Sequence, residues 1–396
     1  MAEKTLEDFR GDIRRVDSDI ARLLGRRMNI ARKIGEAKQE RKMPIVDSTV
    51  EKAVIENFIA SAYDAGVDKE FAKRIANLII EGSVRLQESI RPIGFLGGSE
   101  SNVAVIGAGG MGSWFARFFK SRGNYVTVSD RDRHRARLVA SRIGVRWAPS
   151  NVEAVSQSDI VILAVPANAV LRVVDEILPV LRATSLLVEI CAVKSPVMAA
   201  LRSAEKRGVQ VASIHPMFGA LARGISGKKI VIIRTGRRKQ GSQKVRKLFT
   251  KARFLSTDPQ VHDKQTALTL ALPHFVNMAF AMTISKRNLS KVRRLAGRTF
   301  DLQTLLAETV ANEPETTTDI QIMNREFRPV LRELQRNIRV LAGAVNRRDR
   351  AELVSHCKKV RQGLLSDPKF AFAGAAFERA CEAVSASSNM GNCPTN

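Results

Sequence analysis

The chain is 396 residues long and 44% of its residues are hydrophobic, so it can form two or three domains with sizeable cores. It shows no unbroken apolar run of the roughly 18 residues that a membrane span needs, and its charged start, MAEKTLEDFR, lacks the apolar segment of a signal peptide. We therefore expect a soluble cytoplasmic protein with no membrane partner. The four cysteines have no metal-type spacing, which predicts reduced thiols and no metal site.

The formal charge of +26 is uneven, because residues 1–92 carry only +2 and the rest of the chain carries +24. Such a charge is compatible with nucleic-acid binding. However, only 5% of the residues are aromatic, and the basic residues are scattered through periodic segments instead of forming one tail. We therefore expect an electrostatic field that attracts anionic substrates and cofactors, with nucleic-acid binding as the less favoured alternative.

Residues 3–41 contain no proline, and their apolar residues recur every three or four positions. This spacing predicts one long amphipathic helix with a coiled-coil-like seam. Met43-Pro44 ends that helix, and two more helices are predicted at 48–65 and 69–90. Because an all-helical unit of this size cannot bury so long a seam alone, we predict a homodimer formed through the first helix.

Arg27 stands where the seam of the first helix expects an apolar residue, four positions after Leu23. A cation in an apolar seam is costly unless an anion meets it, although the side chain can also snorkel to solvent. Lys38 lies about three turns further on nearly the same face, and Ser83 and Gln87 share a face of the third helix. The spacing alone leaves both interpretations of Arg27 open.

Residues 1–92 resemble the all-helical chorismate mutases. The resemblance rests on Arg10 in FRGDI, Arg27 and Lys38 in GRRMNIARKIGEAK, Asp47 and Glu51 in PIVDSTVE, and Ser83 and Gln87 in IIEGSVRLQ. That family rearranges chorismate to prephenate without covalent or acid–base chemistry. Its site holds a dianion in a compact chair and stabilises the charge that grows on the breaking ether oxygen.

The resemblance implies a role for each matching side chain. Arg27, and Arg10 from the second subunit, would clamp carboxylates, and Ser83 would support one of them. Lys38 and Gln87 would donate hydrogen bonds to the ether oxygen.

The same resemblance implies that Asp47 and Glu51 hold the substrate hydroxyl. The family often has an arginine immediately before this glutamate, and this chain has Val50. We expect that departure to weaken substrate binding without abolishing it.

Residues 93–101 form a short glycine- and serine-rich linker, and a dinucleotide-binding pattern follows. An apolar strand at 103–106 leads into a G-x-G-x-x-G turn, a helix-compatible run and a second strand that ends on Asp130. Such a turn brings backbone N–H groups to a pyrophosphate, and the carboxylate reaches a ribose hydroxyl. The alternative is a glycine-rich turn in an ordinary α/β domain. The predicted cofactor-binding residues are Gly107, Ala108, Gly109, Gly110, Met111, Gly112, Asp130, Arg131, Val165 and Pro166.

Asp130 would repel a 2′-phosphate, so the pattern favours NAD. Arg131 and Arg133 follow at once and can accept that phosphate, so NADP stays possible.

Strands and helices alternate through residues 102–257, which predicts a Rossmann-type, doubly wound and mostly parallel sheet. Strands are expected at 103–106, 125–129, 159–165, 186–191, 209–214 and 230–234. His215 directly follows the strand VQVASI at the carboxyl edge of that sheet, where it is suited to accept a proton near neutral pH. A structural histidine that caps the strand end is the alternative.

Residues 258–386 read as an all-α domain, with helices at 260–286, 299–312, 317–347, 350–365 and 371–384. We expect this domain to dimerise and to close over the nicotinamide end of the cofactor. His274 lies eleven residues after Asp263, on nearly the same helix face. Residues 387–396 form a polar tail that we expect to be disordered.

Residues 102–365 resemble the prephenate dehydrogenases. The matching motifs are VAVIGAGGMG, DIVILAVP, CAVKS, IHPMFG and HDKQTALTLALPHF. The resemblance implies that His215 accepts the proton of the ring hydroxyl while hydride leaves the carbinol carbon, and that loss of CO₂ makes the ring aromatic. It also implies that Lys194, Asp263 and His274 contact substrate, although core packing is the alternative for His274.

Two positions depart from that family's pattern. Glu308 stands where many relatives have the arginine that grips the ring carboxylate, and Ala192 replaces a serine. Another cation must then substitute, with Arg298, Arg287 or Arg223 as candidates, or the substrate differs. Arogenate is the alternative substrate.

The two resemblances describe consecutive reactions, since the mutase product is the dehydrogenase substrate. The chain is therefore expected to be multidomain, with an all-α N-terminal domain at 1–92, an α/β Rossmann-type domain and an all-α C-terminal dimerisation domain. Its expected function is to convert chorismate through prephenate to 4-hydroxyphenylpyruvate in tyrosine biosynthesis.

Overall fold

A computed structural model describes residues 5–41, 48–90, 101–222, 224–235 and 240–390. Asp47 and Arg223, both named above, lie outside these ranges, as do residues 93–100 of the predicted linker and residues 391–396 of the predicted tail. Helices form the first part of the chain, a single eight-stranded sheet with flanking helices forms the middle, and helices form the last part. The all-α, α/β, all-α order expected from the sequence is confirmed.

The N-terminal part consists of three helices, α1 (Leu6–Glu40), α2 (Ser48–Asp64) and α3 (Lys69–Ile90). The long first helix is as predicted. The last third of α1 packs against α3, and a Cβ at Gly35 would lie 2.9 Å from Cγ of Gln87, so only glycine allows this approach. The first half of α1 leaves the apolar side chains of its seam exposed, and these are Leu6, Phe9, Ile13, Val16, Ile20 and Leu23.

The central sheet has the strand order β3-β2-β1-β4-β5-β6-β7-β8, in which only the β6–β7 pair is antiparallel. Its strands are β1 (Asn102–Ile106), β2 (Tyr125–Ser129), β3 (Arg146–Trp147), β4 (Ile160–Leu163), β5 (Leu186–Glu189), β6 (Gln210–Pro216), β7 (Lys229–Ile233) and β8 (Arg253–Thr257). The six predicted strands are present, and β3 and β8 were missed because one is two residues long and the other is not buried.

Helices cover both faces of the sheet: α4 (Gly110–Lys120), α5 (Arg133–Ile143), α6 (Asn151–Val155), α7 (Val170–Ile177), α8 (Met198–Lys206) and α9 (Gln240–Leu248). Each buried strand feeds two cores, because alternate side chains point to opposite faces. On β1, Val103 and Val105 enter one core with the aromatic face of α4, whereas Ala104 and Ile106 enter the other. The near-continuous apolar strands in the sequence follow from this double burial.

The C-terminal part contains α10 (Pro259–Thr266), α11 (Leu272–Ile284), α12 (Leu289–Arg293), α13 (Arg298–Ala311), α14 (Pro314–Met323), α15 (Phe327–Asn346), α16 (Arg350–Leu364) and α17 (Ala373–Met390). Three predictions for this part are wrong in detail. A π-helical turn at Ala267–Ala271 interrupts the predicted helix 260–286, and Asn324 caps a break inside the predicted helix 317–347. The last helix runs to Met390, four residues into the tail that we expected to be disordered.

The segment Pro259–Ile284 corrects the expectation that no stretch is apolar enough to span a membrane. It is the one helix among the described residues that meets the length and composition of a span, with a mean hydropathy of 1.5 over 18 residues. The segment was overlooked because threonine, histidine and asparagine interrupt its apolar residues, yet its second half carries no Asp, Glu, Lys or Arg. Only 17% of that window is buried in this single chain.

Candidate active sites

The first site is a cavity of about 220 Å³ between the three N-terminal helices. Arg27, Lys38, Ser83 and Gln87, all predicted site residues, line it together with apolar side chains of the same helices. The guanidinium of Arg27 donates to Oγ of Ser83 at 2.5 Å and to the carbonyl of Ile79 at 3.4 Å. Arg27 therefore points into the helix bundle and does not snorkel to solvent.

Electrostatics suit this cavity to an anion. Burial lowers the pKa of the Arg27 guanidinium, yet no carboxylate pairs with it among the contacts described for that side chain. Arg27 and Lys38 thus place two cations among apolar walls, where charge–charge attraction is much stronger than in water. Val50, which replaces the family's arginine, lines the same cavity and supplies no charge.

Three predicted residues of this site, Arg10, Asp47 and Glu51, are not among the side chains that line the cavity. Arg10 is exposed on α1 and pairs with Glu7 at 3.3 Å, far along the helix from Arg27. The backbone of Glu51 lies in α2, but its side chain is not described, and Asp47 is outside the described residues. Their roles stay predictions.

The second site lies at the carboxyl edge of the central sheet. Gly107 has a φ of 103° after β1, and a Cβ there would lie 2.2 Å from the carbonyl oxygen of Ala164, in the loop after β4. A Cβ on Gly112 would lie 1.8 Å from the carbonyl oxygen of Gly107. A Cβ on Gly109, in contrast, would meet nothing within 4 Å, so open space lies above the start of α4. The tight turn at Gly107, the close packing at Gly112 and the open space at Gly109 suit a dinucleotide pyrophosphate. We call this three-glycine arrangement the glycine cradle.

Asp130 closes the outer end of this cradle. Its Oδ2 accepts the backbone N–H of Ala108 at 2.7 Å, and its Oδ1 accepts the backbone N–H of Asp132 at 2.8 Å and Nη2 of Arg135 at 2.9 Å. Arg131 is exposed beside it. The sequence argument did not identify Arg135, which covers the carboxylate that was expected to face a ribose.

The loop after β4 holds Val165 against the glycine turn, where a Cβ on Gly107 would lie 3.4 Å from its Cγ1, and Pro166 follows in the same loop. Helix α14 fixes that loop, because Oδ2 of Asp319 accepts the backbone N–H of Ala167 at 3.0 Å. Burial raises the pKa of the Asp319 carboxyl. This contact between the C-terminal helices and the cofactor loop was not predicted.

His215 occupies the penultimate position of β6, inside the strand and not after it. It lies three strands from β1 along the carboxyl edge, about 14 Å by the usual strand spacing. Its Nδ1 is 2.9 Å from Nε2 of His262, and 7% of the residue stays exposed. Burial first, and then the charge of Lys194, hold its pKa well below the ordinary histidine value, so the imidazole is neutral near pH 7.

Lys194 does not reach the open edge, which disagrees with its predicted substrate contact. The side chain is fully buried, and Nζ donates to Oε2 of Glu189 at 3.0 Å and to the carbonyl of Ile214 at 2.7 Å. Glu189 is also fully buried and accepts a 2.6 Å hydrogen bond from Oγ of Ser213. The ammonium is therefore held beneath His215 by an internal ion pair.

Asp263 is also buried, and its carboxylate contacts protein groups. It accepts the backbone N–H groups of Lys194 and Ser195 at 2.9 and 2.8 Å, and Oδ1 lies 3.0 Å from Nδ1 of His262. Asn324 donates to the carbonyl of Asp263 at 2.9 Å, so the break between α14 and α15 supports the same group. Asp263 thus orients neighbours and does not present itself to a substrate.

His274 begins α11 and is half-buried, and burial lowers its pKa. Its Nδ1 is buried and makes no hydrogen bond with the described residues. The π-helical turn between Asp263 and His274 removes the shared helix face that their spacing predicted. A contact of His274 with substrate stays a prediction.

Glu308 forms an exposed ion pair with Arg293 at 2.5 Å. Of the cations considered as substitutes, Arg298 pairs with Glu378, Arg287 is exposed, and Arg223 is outside the described residues. The described residues contain no group of three or more His, Cys, Asp or Glu side chains that could hold a metal ion. Three cysteines there, Cys191, Cys357 and Cys381, are free thiols.

Three family models match the chain in consecutive stretches. Residues 9–88 match chorismate mutase type II, residues 115–265 match the nucleotide-binding domain of prephenate dehydrogenase, and residues 258–359 match its dimerisation domain. The glycine turn precedes the second matched stretch, so its assignment depends on the geometry given above.

Individual proteins agree with these matches. The chain is 23% identical over 363 residues to the T-protein of Haemophilus influenzae, covering 90% of this chain and 92% of that protein. It is 27% identical over 276 residues to a probable arogenate/prephenate dehydrogenase of Methanocaldococcus jannaschii, covering 67% of this chain but only 62% of that protein. The fold of prephenate dehydrogenase from A. aeolicus, solved with hydroxyphenyl propionate and NAD⁺, superposes with a TM-score of 0.56 at 19% identity, covering 68% of this chain and 98% of that one. In chain order, therefore, the protein matches the type II chorismate mutase family and then the nucleotide-binding and dimerisation domains of prephenate dehydrogenase.

Proposed function

We propose that the chain catalyses two consecutive steps of tyrosine biosynthesis, from chorismate to prephenate and from prephenate to 4-hydroxyphenylpyruvate with NAD. The observation that carries the proposal is the position of His215. Its neutral imidazole lies at the same edge of the sheet as the glycine cradle, with Nε2 unbonded to any described residue.

In the mutase half, Arg27 and Lys38 attract the chorismate dianion into the apolar cavity. Arg27 and Ser83 bind a carboxylate, while Lys38 and Gln87 stabilise the charge that develops on the ether oxygen. The cavity has few cations for a dianion, because Val50 is neutral. Arg10 of a second subunit would complete it, which suits the exposed seam of α1.

In the dehydrogenase half, bound NAD would accept a hydride from the carbinol carbon of prephenate. The chain's own part is to hold the ring and to take the hydroxyl proton on Nε2 of His215. When CO₂ leaves, its bonding electron pair enters the ring, and the phenolate oxygen takes the proton back from His215. The histidine therefore ends each turnover neutral, and no other acid or base is needed.

NAD is favoured because Asp130 is positioned at the outer end of the cradle. Arg135, Arg131 and Arg133 all follow β2, so NADP remains the alternative. Arogenate, which carries an amino group in its side chain, remains the alternative substrate. Glu308, paired with Arg293, stands where the family has an arginine on the ring carboxylate, but that carboxylate is common to both acids, so Glu308 alone does not decide between them. The name of the M. jannaschii relative includes both acids.

We further propose a cytoplasmic homodimer. The exposed seam of α1 and the largely unburied helix Pro259–Ile284 are two apolar surfaces that a second copy would cover. The excess positive charge would draw in anionic substrates and not nucleic acid.

Two full-length variants test the assignment of the two halves. His215→Asn should lower NADH formation from prephenate by roughly 10²–10⁴-fold and keep mutase activity, whereas Arg27→Ala should lose mutase activity and keep prephenate oxidation. A His215→Asn enzyme with full turnover would remove the proposed base. Rates with prephenate and arogenate, each with NAD and NADP, decide between the alternatives.

A further inference from the structure

Three buried side chains form a continuous hydrogen-bonded row that ends at the candidate base. Oδ1 of Asp263 lies 3.0 Å from Nδ1 of His262, and Nε2 of His262 lies 2.9 Å from Nδ1 of His215. Each of the three residues is at most 7% exposed. The row crosses from α10 in the C-terminal part to β6 of the sheet.

The direction of every proton in this row can be worked out from Asp263. Burial by itself would raise the pKa of that carboxyl, but the hydrogen bonds from His262, Ser195 and Lys194 together lower it, so the group is a carboxylate that only accepts. Nδ1 of His262 therefore carries hydrogen, and in the tautomer that is protonated only at this atom Nε2 of His262 keeps a lone pair. That lone pair accepts Nδ1–H of His215, and the remaining lone pair of His215 is on Nε2.

We propose that His262 and Asp263 are positioning residues that fix His215 in the tautomer whose Nε2 accepts the substrate proton. This inference rests on the proposed dehydrogenase function and assigns a role to a histidine that the sequence argument left without one. Neither residue touches the substrate in this arrangement. Asp263 instead orients His262, and His262 orients the base.

The same row can disperse the charge that forms during the reaction. When Nε2 takes the hydroxyl proton, His215 becomes an imidazolium whose Nδ1–H points at the lone pair of His262. The carboxylate of Asp263 stabilises that cation through the intervening ring. Lys194, whose charge opposes the imidazolium, is itself paired with the carboxylate of Glu189.

Substitutions of His262 give a matched pair of variants. His262→Gln keeps an oxygen that can accept Nδ1–H of His215, whereas His262→Leu fills similar space with no acceptor. We expect kcat for prephenate oxidation to fall at least about tenfold in His262→Leu, but by no more than the roughly 10²–10⁴-fold that a positioned base supplies. His262→Gln should recover most of that loss. KM for prephenate and the NADH dissociation constant should stay within about twofold in both variants.

A double-variant cycle separates positioning from a general structural effect. If His262 acts only through His215, adding His262→Leu to His215→Asn should lower kcat no further. Mutase activity and NADH binding of the same full-length chain report correct folding. If His262→Leu weakens NADH binding, Asp263→Asn is the variant to use instead. An amide at position 263 can donate to Nδ1 of His262 and so reverse the tautomers of both histidines, and we expect kcat for prephenate oxidation to fall as in His262→Leu.

Unchanged kcat in His262→Leu, or a further full loss when it is combined with His215→Asn, would overturn the positioning role while leaving His215 as the base. If the unmodified chain does not oxidise prephenate or arogenate at all, the proposed function fails instead. The two failures are therefore distinguishable in one set of assays.

Discussion

Replacing Lys194 with methionine tests whether this residue belongs to a buried ion pair or to the substrate site. Lys194 and Glu189 are both fully buried, and they are joined at 3.0 Å. Removing one partner of such a pair typically costs about 3–5 kcal/mol, because the other charge stays buried without compensation. In Lys194→Met, Glu189 keeps its hydrogen bond from the hydroxyl of Ser213, which reduces the loss, but the Ile214 carbonyl loses the bond from Nζ, which increases it. We therefore expect the free energy of unfolding to fall by about 3 kcal/mol.

The chain offers a selective probe for this measurement. Both of its tryptophans, Trp114 in α4 and Trp147 in β3, belong to the sheet domain. Tryptophan fluorescence in urea therefore reports unfolding of that domain within the full-length protein. A loss of about 3 kcal/mol lowers the midpoint by about 1–2 M at the usual slope for such domains. The double variant Lys194→Met/Glu189→Gln is the control and should regain most of the stability.

The same variant should also change the pH profile of prephenate oxidation. The charge of Lys194 lowers the pKa of His215, so its removal raises that pKa. Activity falls when the base becomes protonated, and the acid limb of kcat/KM should therefore move to higher pH. Wild-type stability combined with a large rise in KM for prephenate would refute the ion-pair argument and restore the predicted substrate contact.

Further predictions concern the cofactor cradle and the mutase cavity. Gly112→Ala places a Cβ against backbone and should destabilise the sheet domain by at least about 1–3 kcal/mol in urea unfolding. Gly109→Ala should leave that stability unchanged and weaken only NADH binding. Equal stabilities of the two variants would contradict the packing described for Gly112. Arg135→Leu removes a cation and frees the carboxylate of Asp130, which repels a 2′-phosphate. The ratio of the NADPH to the NADH dissociation constant, measured by fluorescence titration, should therefore rise about tenfold. An unchanged ratio would show that Arg135 does not influence cofactor choice. Val50→Arg adds a cation to the mutase cavity and should lower KM for chorismate by about tenfold in a chorismate-disappearance assay, while a higher KM would mean that this position does not face the substrate.

The sequence was sufficient to predict those parts of the fold that are set by local patterns. The seam of α1, the glycine turn at Gly107 and the apolar strands each carry a periodicity or a spacing that one conformation satisfies. The break at Asn324 was missed because it depends on a tertiary contact, and the π-helical turn at 267–271 was missed because its residues continue the helical apolar pattern on both sides. Asn324 interrupts a helical pattern in order to bond the carbonyl of Asp263, a contact that no local pattern encodes.

The candidate sites divide in the same way. The composition of the mutase cavity could be predicted because Arg27, Lys38, Ser83 and Gln87 stand in motifs that resemble those of the chorismate mutases; their spacing alone showed only which of them share a helix face. At the sheet edge, sequence reasoning identified the important residues but not always their partners.

The motif CAVKS identified Lys194 as a site residue. Its partner Glu189 lies five residues earlier, at the end of β5, and nothing in the sequence indicated that the two side chains form an ion pair. The adjacent pair His262-Asp263 was the available signal for the row behind His215, since a histidine beside an acid can be oriented by it.

The central claim is that one chain carries both reactions in order and that His215 is the base of the second. The most direct measurement supplies the full-length protein with chorismate and NAD, and follows NADH and 4-hydroxyphenylpyruvate together. The proposed function predicts equal amounts of both products from the wild-type chain, and accumulation of prephenate with only residual NADH formation from His215→Asn. Equal NADH formation by the two proteins, or none by either while prephenate accumulates, would contradict it.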